Sequence, residues 1–358
     1  MSKARELAEL GAVYDSGALS NRNLFINGAM TVSQRGTSDA SISDNEFVVD
    51  RYSLRTSNAG WYAADQSTDV PTGFSNSLKI TSNGANTPAA GAYIFFTQKI
   101  EGFNSAHLEF GTSNAKTITI SFHIKSSLTG TFGGSIRNSA QNRSYPFSFT
   151  ISSANTWEYK TVTIAGDTTG TWIGSTNGIG LDVIFNLGSG TNNQGTAGAW
   201  AAAGYLKPTG AVNLVETSGA TLFLTGLQLE LGTEATPFEH RSFGQELERC
   251  QRYYYKTYNS DVVPGTNTAI GTVSLTATST TYGFGGGRTP VYMRANPTAV
   301  VYSQTGTVGS VSAAGGGNVG SSAAADQASQ GGWLGVQFSS GLSAGTMYYY
   351  HITADAEL

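Results

Sequence analysis

Nine short strand-like segments, separated by turn residues, restrict the fold of this 358-residue chain more than any other feature. In the clearest one, residues 117–124, apolar and polar residues alternate strictly. This alternation predicts a strand with one face on a core and the other in water. Nine such strands broken by Gly, Ser and Asn predict an all-β, antiparallel sandwich. The segments are residues 47–55, 77–82, 92–100, 116–126, 131–138, 145–151, 157–164, 180–186 and 221–231.

The last of these segments alternates in the same way, and the period then changes. Three leucines are predicted on its core face, whereas Gln228 and Glu230 are predicted to face water. A strand followed at once by a different period indicates the end of one domain. The leucines are Leu227, Leu229 and Leu231.

A short amphipathic helix is predicted directly after this strand. Ser242 is placed to cap it, with Gln245 three residues later as the partner in a capping box. Four residues at helical spacing form one apolar stripe, which we expect to pack at an oligomer axis or against another domain. Cys250, the one cysteine, is interpreted as a buried thiol. The stripe consists of Phe243, Leu247, Cys250 and Tyr254.

The length of the chain suggests two domains, each large enough for its own core. Further strands are predicted at residues 268–278, 300–302, 333–339 and 347–354. Residues 303–332 have few large side chains, so we expect a mobile loop or a surface ordered by neighbouring chains. The predicted organisation is an N-terminal peptide 1–22, a sandwich 23–240, a linking helix 241–258 and a smaller β domain 259–358.

Composition and charge exclude several classes of protein. Hydrophobic residues make up 39% and aromatic residues 11%, which is too much for a disordered chain. The net charge is −4 and no basic patch is visible, so nucleic-acid binding is not expected. No apolar run of about 18 residues and no signal-peptide core occur, so neither membrane insertion nor export by a readable signal is predicted.

Three parts of the chain resemble one protein family. Residues 226–243 and 250–255 are similar to a motif of tail fibre and receptor-binding proteins of tailed bacteriophages, marine phages in particular. Residues 21–37 with 49–52 resemble the opening of that family, where Trp is frequent at the position of Tyr52. Residues 348–358 resemble its C-terminus, so the resemblance spans about residues 21–358.

The resemblance implies a jelly roll related to carbohydrate-binding modules and a homotrimeric tail fibre that recognises host-surface glycans without catalysis. It also implies synthesis in the host cytoplasm, location in the virion, attachment to other tail or virion proteins through residues 1–22, and a distal C-terminal domain. Two alternatives remain open. One is a head fibre, capsid decoration or tail-tip protein without receptor binding, and the other is a tailspike polysaccharide depolymerase.

Aromatic side chains are the candidate sugar contacts, because flat rings fit the C–H faces of sugars while amides and carboxylates bind hydroxyls. Trp157 and Trp333 lie inside strand-like runs and are predicted to be core residues. The candidates for ligand binding are Trp61, Tyr62, Trp172, Trp200 and Tyr205. The last two lie in a long irregular segment, residues 187–212, of the kind that is often functional.

Catalytic and metal-binding patterns are weak. The four histidines are scattered and no nucleophile or nucleotide motif is found, so no enzyme activity is predicted. Asp50-Arg51 and Glu239-His240-Arg241 are interpreted as structural ion pairs or turn contacts. An acidic stretch could hold calcium, but its spacing is not that of an EF-hand, and no metal or cofactor is predicted. Its residues are Asp39, Asp44, Asn45 and Glu46.

Overall fold

The computed structural model describes residue 3, residues 21–315 and residues 317–358. These residues form two compact units. Unit 1 comprises the described part of Met1–Thr31 together with Asp39–Glu46 and Tyr52–Arg241. Unit 2 comprises Val32–Ser38, Phe47–Arg51 and Ser242–Leu358. Most of the predicted N-terminal peptide, residues 1–22, lies outside the described residues.

Unit 1 contains two main sheets. In the order given by their hydrogen bonds, the first sheet runs β1-β3-β4-β13-β6-β9 and the second β2-β5-β10-β7-β8. The strands are β1 (Ser38–Asp39), β2 (Ser53–Thr56), β3 (Tyr62–Ser67), β4 (Ser77–Ser82), β5 (Ile94–Glu101), β6 (Ile118–Ser126), β7 (Gly130–Arg137), β8 (Ser144–Ile151), β9 (Glu158–Ile164), β10 (Ile179–Asn186), β11 (Gln194–Gly195), β12 (Lys207–Pro208) and β13 (Thr221–Leu231). One helical turn, α1 (Gly102–Ser105), follows β5.

The two sheets of unit 1 pack face to face, which confirms the predicted all-β sandwich. Phe122 of β6 contacts Phe149 of β8 and Phe185 of β10, with ring centroids 5.0 and 5.3 Å apart. Burial of each such ring contributes about 1.5–3 kcal/mol. The pairings among β2 to β10 and β13 are antiparallel, whereas the two-residue strands β11 and β12 pair in parallel.

The polar face of β13 differs from the prediction. Gln228 and Glu230 are buried rather than facing water. The chain folds back after the strand, and Thr236 donates from its backbone N–H (2.9 Å) and its hydroxyl (2.6 Å) to Glu230. The backbone N–H of Glu239 donates to the side-chain oxygen of Gln228 at 2.8 Å. These bonds replace water, so both polar side chains are buried without loss of hydrogen bonding.

The nine predicted strands are all present, although their ends differ. The largest difference is at residues 47–55, where only Ser53–Thr56 is strand. Phe47–Arg51 belongs to unit 2 instead. The sequence analysis missed β3, whose pattern Tyr-Ala-Ala-Asp-Gln-Ser has little apolar alternation.

Unit 2 is built around one large sheet with its own core. In hydrogen-bonded order the strands run β19-β18-β22-β15-β16-β21-β20, and β14 and β17 also pair with β22. The core includes Leu275, Val301, Val336, Tyr350 and Ile352. The strands are β14 (Tyr254–Lys256), β15 (Val273–Ala277), β16 (Tyr282–Arg288), β17 (Thr298–Tyr302), β18 (Val311–Ala313), β19 (Asn318–Val319), β20 (Ala324–Asp326), β21 (Gly332–Gln337) and β22 (Met347–Asp355).

The prediction of a mobile loop at residues 303–332 is wrong for the described part of this segment. It supplies β18, β19 and β20 to the sheet of unit 2 within a single chain. Val311 is fully buried in the core of unit 2, and Ala323 and Ala325 pack against that core. Small side chains therefore complete this core because the neighbouring strands supply the large ones.

The predicted helix is α2 (Phe243–Gln251), and its contacts assign it to unit 2. Its capping box is confirmed, because Ser242 and Gln245 exchange both hydrogen bonds. The predicted stripe is only partly correct. Cys250 is fully buried, as predicted, whereas Leu247 is half-buried and Phe243 is 51% exposed. Tyr254 is buried, but it lies on β14 because the helix ends at Gln251.

A buried ionic cluster ties the early segments of unit 2 to Glu357, which follows β22. Arg51 pairs with Glu357, and its guanidinium lies 3.3 Å from the ring centroid of Tyr253. Arg35 contacts Glu357 at 3.4 Å and Asp50 at 3.8 Å. The structural interpretation of Asp50 and Arg51 is therefore correct, with partners elsewhere in unit 2.

Candidate functional site

Two of the predicted sugar-binding residues, Trp172 and Trp200, come together in unit 1. Their ring centroids lie 5.5 Å apart in an edge-to-face contact. Phe110 touches both rings, at 5.1 and 5.8 Å, and Tyr145 touches Trp200 at 5.1 Å. We call these four half-buried residues the loop aromatic cluster.

The loop aromatic cluster is held by local backbone contacts. Trp200 donates its indole N–H to the carbonyl of Ala165 at 2.8 Å, and Trp172 donates to Thr169 at 3.2 Å. A cavity of about 40 Å³ lies beside Phe110 and Trp172 and has room for little more than a water molecule. Because the rings cover one another and both indole N–H groups are paired, the cluster anchors the long loop and offers little free ring surface.

A bidentate ion pair supports the same loops. Arg143 donates from Nε and Nη2 to the two carboxylate oxygens of Asp167, at 2.8 and 2.7 Å. Burial raises the pKa of Asp167, but the hydrogen bonds from Arg143 and from the Thr169 backbone outweigh it, so the net shift is downward. The carboxylate therefore remains ionised and holds its loop in place.

The other predicted contacts are dispersed through unit 1. Tyr62 is fully buried, which rules out a surface contact between its ring and a sugar. Burial is also the main reason why the pKa of Tyr62 lies well above the usual value. Tyr205 is half-buried with its ring over Gly195, where an added Cβ would lie 2.3 Å from the ring. Trp61 is half-buried immediately before β3.

Of the two tryptophans predicted as core, only Trp333 is buried. Trp157 is half-buried, and its indole N–H donates to Asp69 at 3.2 Å. The residue lies immediately before β9 rather than inside the strand, and its ring contacts that of Phe223 on β13 at 6.3 Å. The alternation of residues in the sequence did not show that this strand begins at Glu158, one residue later than predicted.

An open depression lies in unit 2, at a place that the sequence did not predict. It has a volume of about 680 Å³ and is formed by the ends of β16 and β21 with the loops beside them. We call it the unit 2 groove. The side chains that line it around the glycines are Phe284, Arg288, Tyr292, Gln327, Ser329 and Leu334, with the edge of Trp333.

Glycines form the floor of the unit 2 groove because the two strands approach too closely for side chains. A Cβ on Gly286 would lie 2.0 Å from the carbonyl oxygen of Trp333. Gly332 has φ +141°, and a Cβ there would lie 2.1 Å from the carbonyl oxygen of Gly287. Any other residue would force the strands apart. The floor is therefore bare backbone.

A hydrogen-bond chain beneath the floor fixes its position. The Trp333 indole N–H donates to the Tyr350 hydroxyl at 2.7 Å, and that hydroxyl donates to the Gly285 carbonyl at 2.6 Å. Burial raises the pKa of Tyr350 to about 12, so the hydroxyl keeps the proton that it donates. The groove is thus shaped by buried and paired groups.

The walls of the groove, in contrast, are exposed. Tyr292 is 73% exposed, Phe284 61% and Leu334 50%. The sequence did not predict β16, because four of its seven residues are glycine and glycine disfavours a strand. The sequence did contain one signal of an exposed ring, which is Phe284 within a run of glycines. Glycines have no side chains that could cover the ring.

The described residues offer no candidate metal centre. No group of three or more His, Cys, Asp or Glu side chains suited to a metal is found among residues 21–315 and 317–358. In the acidic stretch considered for calcium, Asp44 binds Arg55 at 2.8 Å. Glu239 and Arg241 pair at 2.8 Å, and Arg241 also binds the Asn23 carbonyl at 2.6 Å, which confirms their structural interpretation.

No helix among the described residues is long and apolar enough to cross a membrane. The polar and charged side chains of the unit 2 groove lie at its rim. Arg288, Gln327 and Ser329 are all exposed there. This set can form hydrogen bonds and one ionic contact, while the rings supply apolar faces.

Comparisons with known proteins give structural similarities only. No protein-family model and no curated protein matches the sequence. A CBM4 structure matches 57% of this chain and 98% of its own, at 16% identity and a TM-score of 0.30. The family 11 carbohydrate-binding module of Clostridium thermocellum, in complex with a mixed-linked tetrasaccharide, matches 56% and 99%, at 12% identity and 0.27.

A bacteriophage structure is also among the similar proteins. The tripod from the baseplate of bacteriophage Tuc2009 matches 61% of this chain and 58% of its own, at 14% identity and a TM-score of 0.28. Similarity this low does not support an argument about function. The description of the chain as an all-β sandwich followed by a second β unit therefore rests on its strand pairings.

Proposed function

We propose that this chain is a surface protein of a tailed-phage virion, a tail fibre in particular, that binds host-surface glycans through the unit 2 groove. The main observation that supports this site is the floor of bare glycine backbone between the exposed rings of Tyr292 and Phe284. Aromatic rings bind the C–H faces of sugars, and the volume of about 680 Å³ is typical of ligand sites.

Exposure of these rings is best explained by a ligand. Tyr292 gains little from folding while it remains in water, and an exposed apolar patch is unfavourable unless something covers it. The floor beneath is fixed by Trp333 and Tyr350, so binding does not require the strands to be ordered first. A preformed site of this kind loses little entropy when a glycan binds.

Binding rather than cleavage is proposed for this groove. Glycoside hydrolysis in most enzymes needs two carboxyl groups on either side of the scissile bond. The residues that line the groove include no Asp or Glu. A sugar held there would meet rings, amide and hydroxyl groups and one guanidinium.

The virion assignment and the homotrimer are supported by the sequence resemblance at residues 226–243, 250–255 and 348–358. Light scattering on the purified full-length chain tests the trimer directly. We expect a mass three times the 37.4 kDa of one chain. A monomer at micromolar concentration would contradict the tail-fibre proposal.

Substitution of the groove walls tests the proposed glycan site. Tyr292→Ala and Phe284→Ala should each weaken binding on a printed array of bacterial surface oligosaccharides by about tenfold, since each removes an aromatic face. Tyr159→Ala is the matched control, because Tyr159 is 49% exposed on unit 1. Unchanged binding by both groove variants, or equal loss in the control, would reject this site.

A further inference from the structure

The lining of the unit 2 groove contains a positive charge and no negative charge. Arg288 is its one charged lining residue, and its side chain is exposed. It forms no ion pair with the part of the chain that the structure describes. By contrast, Arg35, Arg51 and Arg294 of the same unit are paired with carboxylates or backbone carbonyls.

The nearest acidic residue in sequence to the rim, Asp326, is already engaged. Its carboxylate accepts hydrogen bonds from the Tyr282 hydroxyl at 3.0 Å and from Gln337 at 3.2 Å. Asp326 does not line the groove, although its neighbour Gln327 does. The guanidinium of Arg288 therefore faces the groove region without a competing carboxylate from the lining.

The position of Arg288 relative to the rings defines what a ligand must span. Both Phe284 and Arg288 lie on β16, four residues apart, and a bulge between them shortens their separation along the strand to three steps, or about 10 Å. Glycines occupy the positions between them. A ligand lying on this floor would meet the Phe284 ring near one end and the guanidinium near the other, a distance that requires more than one sugar ring.

We propose that the groove selects an acidic glycan, with a carboxylate-bearing sugar bound at Arg288 and a neighbouring ring on Phe284 or Tyr292. This inference rests on the proposed function and adds the chemical class of the ligand. A guanidinium binds carboxylate, sulfate or phosphate groups through a planar pair of donors, and such charged hydrogen bonds are stronger than neutral ones. Gln327 and Ser329 can bind hydroxyls beside it.

The groove fits a charged sugar better than a nucleic acid or an acidic peptide. Nucleic acids require several cations along the backbone, whereas this lining has one and the chain has a net charge of −4. A flat glycine floor with exposed rings suits the C–H face of a sugar, which an acidic peptide does not present. Polyglutamate therefore serves as a charged probe without sugar rings.

Matched probes test the inference. Uronic-acid oligosaccharides of different linkage are printed beside their methyl esters, which keep the ring and lose the charge. Wild-type protein should bind at least one acid about tenfold to hundredfold more tightly than its ester, the range expected for a charged hydrogen bond. Arg288→Gln should remove that preference, Arg288→Lys should keep part of it, and added salt should weaken it.

The outcomes separate the inference from the proposed function. Equal binding of acids and esters would overturn the acidic assignment and leave glycan binding intact. A preference for acids that persists in Arg288→Gln would also overturn the role of Arg288. No binding to any sugar on the panel or on the array of bacterial oligosaccharides would overturn both, and equal binding of polyglutamate would overturn the choice of a glycan. Arg288 is exposed, so the variants should fold normally.

Discussion

Unit 1 and unit 2 are both β structures, but they differ in how many of their large apolar side chains are exposed to water. Of the eleven large hydrophobic residues that are exposed among the described residues, three lie in unit 1 and eight in unit 2. Unit 1 is the larger of the two. Its aromatic residues at the loops cover one another, as Trp172 and Trp200 do. In unit 2 the rings of Phe284 and Tyr292 remain in water.

This difference shows that the type of residue is a poor guide to a binding surface. Tryptophans were the obvious candidates in the sequence, yet packing and backbone carbonyls engage those of the loop aromatic cluster. The exposed rings of unit 2 lie beside glycines that cannot cover them. A ring is available to a ligand when its neighbours are small and rigid, whatever its own chemistry.

The largest effect is expected from the buried ionic cluster of unit 2. Arg51→Met leaves Glu357 without its pairing to Arg51 in a buried site and should lower the stability of unit 2 by about 3–5 kcal/mol. Hydrogen exchange read by mass spectrometry should then rise in residues 273–358 and stay unchanged in residues 62–231. Equal loosening of both regions would show that the two units do not unfold separately.

A surface ion pair provides the control for that variant. Lys79 and Asp65 lie 3.4 Å apart on unit 1, and both side chains are about one-third exposed. Exposed pairs contribute about 0–1 kcal/mol, so Lys79→Met should barely change the denaturation midpoint. A loss comparable to that of Arg51→Met would mean that burial does not explain the difference.

A pair of ring deletions tests the comparison between the two units most directly. Trp200→Ala removes a packed ring from the loop aromatic cluster and should cost about 2–4 kcal/mol, without affecting glycan binding. Tyr292→Ala should change stability by less than about 0.5 kcal/mol and weaken binding. Denaturant titration and the glycan array measure both quantities. The reverse pattern would place the ligand site in unit 1.

Local sequence patterns predicted the sandwich well because its strands alternate over many residues. In β6, Ile118, Ile120, Phe122 and Ile124 are all fully buried, as the period of two predicts, although Thr119 and Ser121 of the face predicted to meet water are buried as well. The capping box of α2 was equally readable, since it depends on two residues three positions apart. The prediction that polar side chains face water was wrong in places. Gln228 and Glu230 are buried by a turn that no local pattern reveals.

The groove could not be predicted for a related reason. The strand β16 has the sequence Tyr-Gly-Phe-Gly-Gly-Gly-Arg, which lacks the side chains that produce a period. Its strand character comes from pairing with β15, the preceding strand, and with β21, which is distant along the chain. The early segments Val32–Ser38 and Phe47–Arg51 were likewise assigned to the sandwich, because their contacts with the end of the chain are not local.

The last prediction concerns the hydroxyl beneath the floor of the groove. Because burial raises the pKa of Tyr350 from 10.0 to about 12, its contribution to stability is complete below pH 10 and decreases as the pH rises toward 12. At neutral pH, Tyr350→Phe leaves the Gly285 carbonyl and the Trp333 N–H without this partner and should cost about 1–3 kcal/mol. Denaturant titrations of both proteins between pH 8 and about 12 should show the wild type losing its advantage in the upper part of that range. A constant difference would mean that the hydroxyl is not buried in the folded unit, and the rigid floor that distinguishes unit 2 would lose its support.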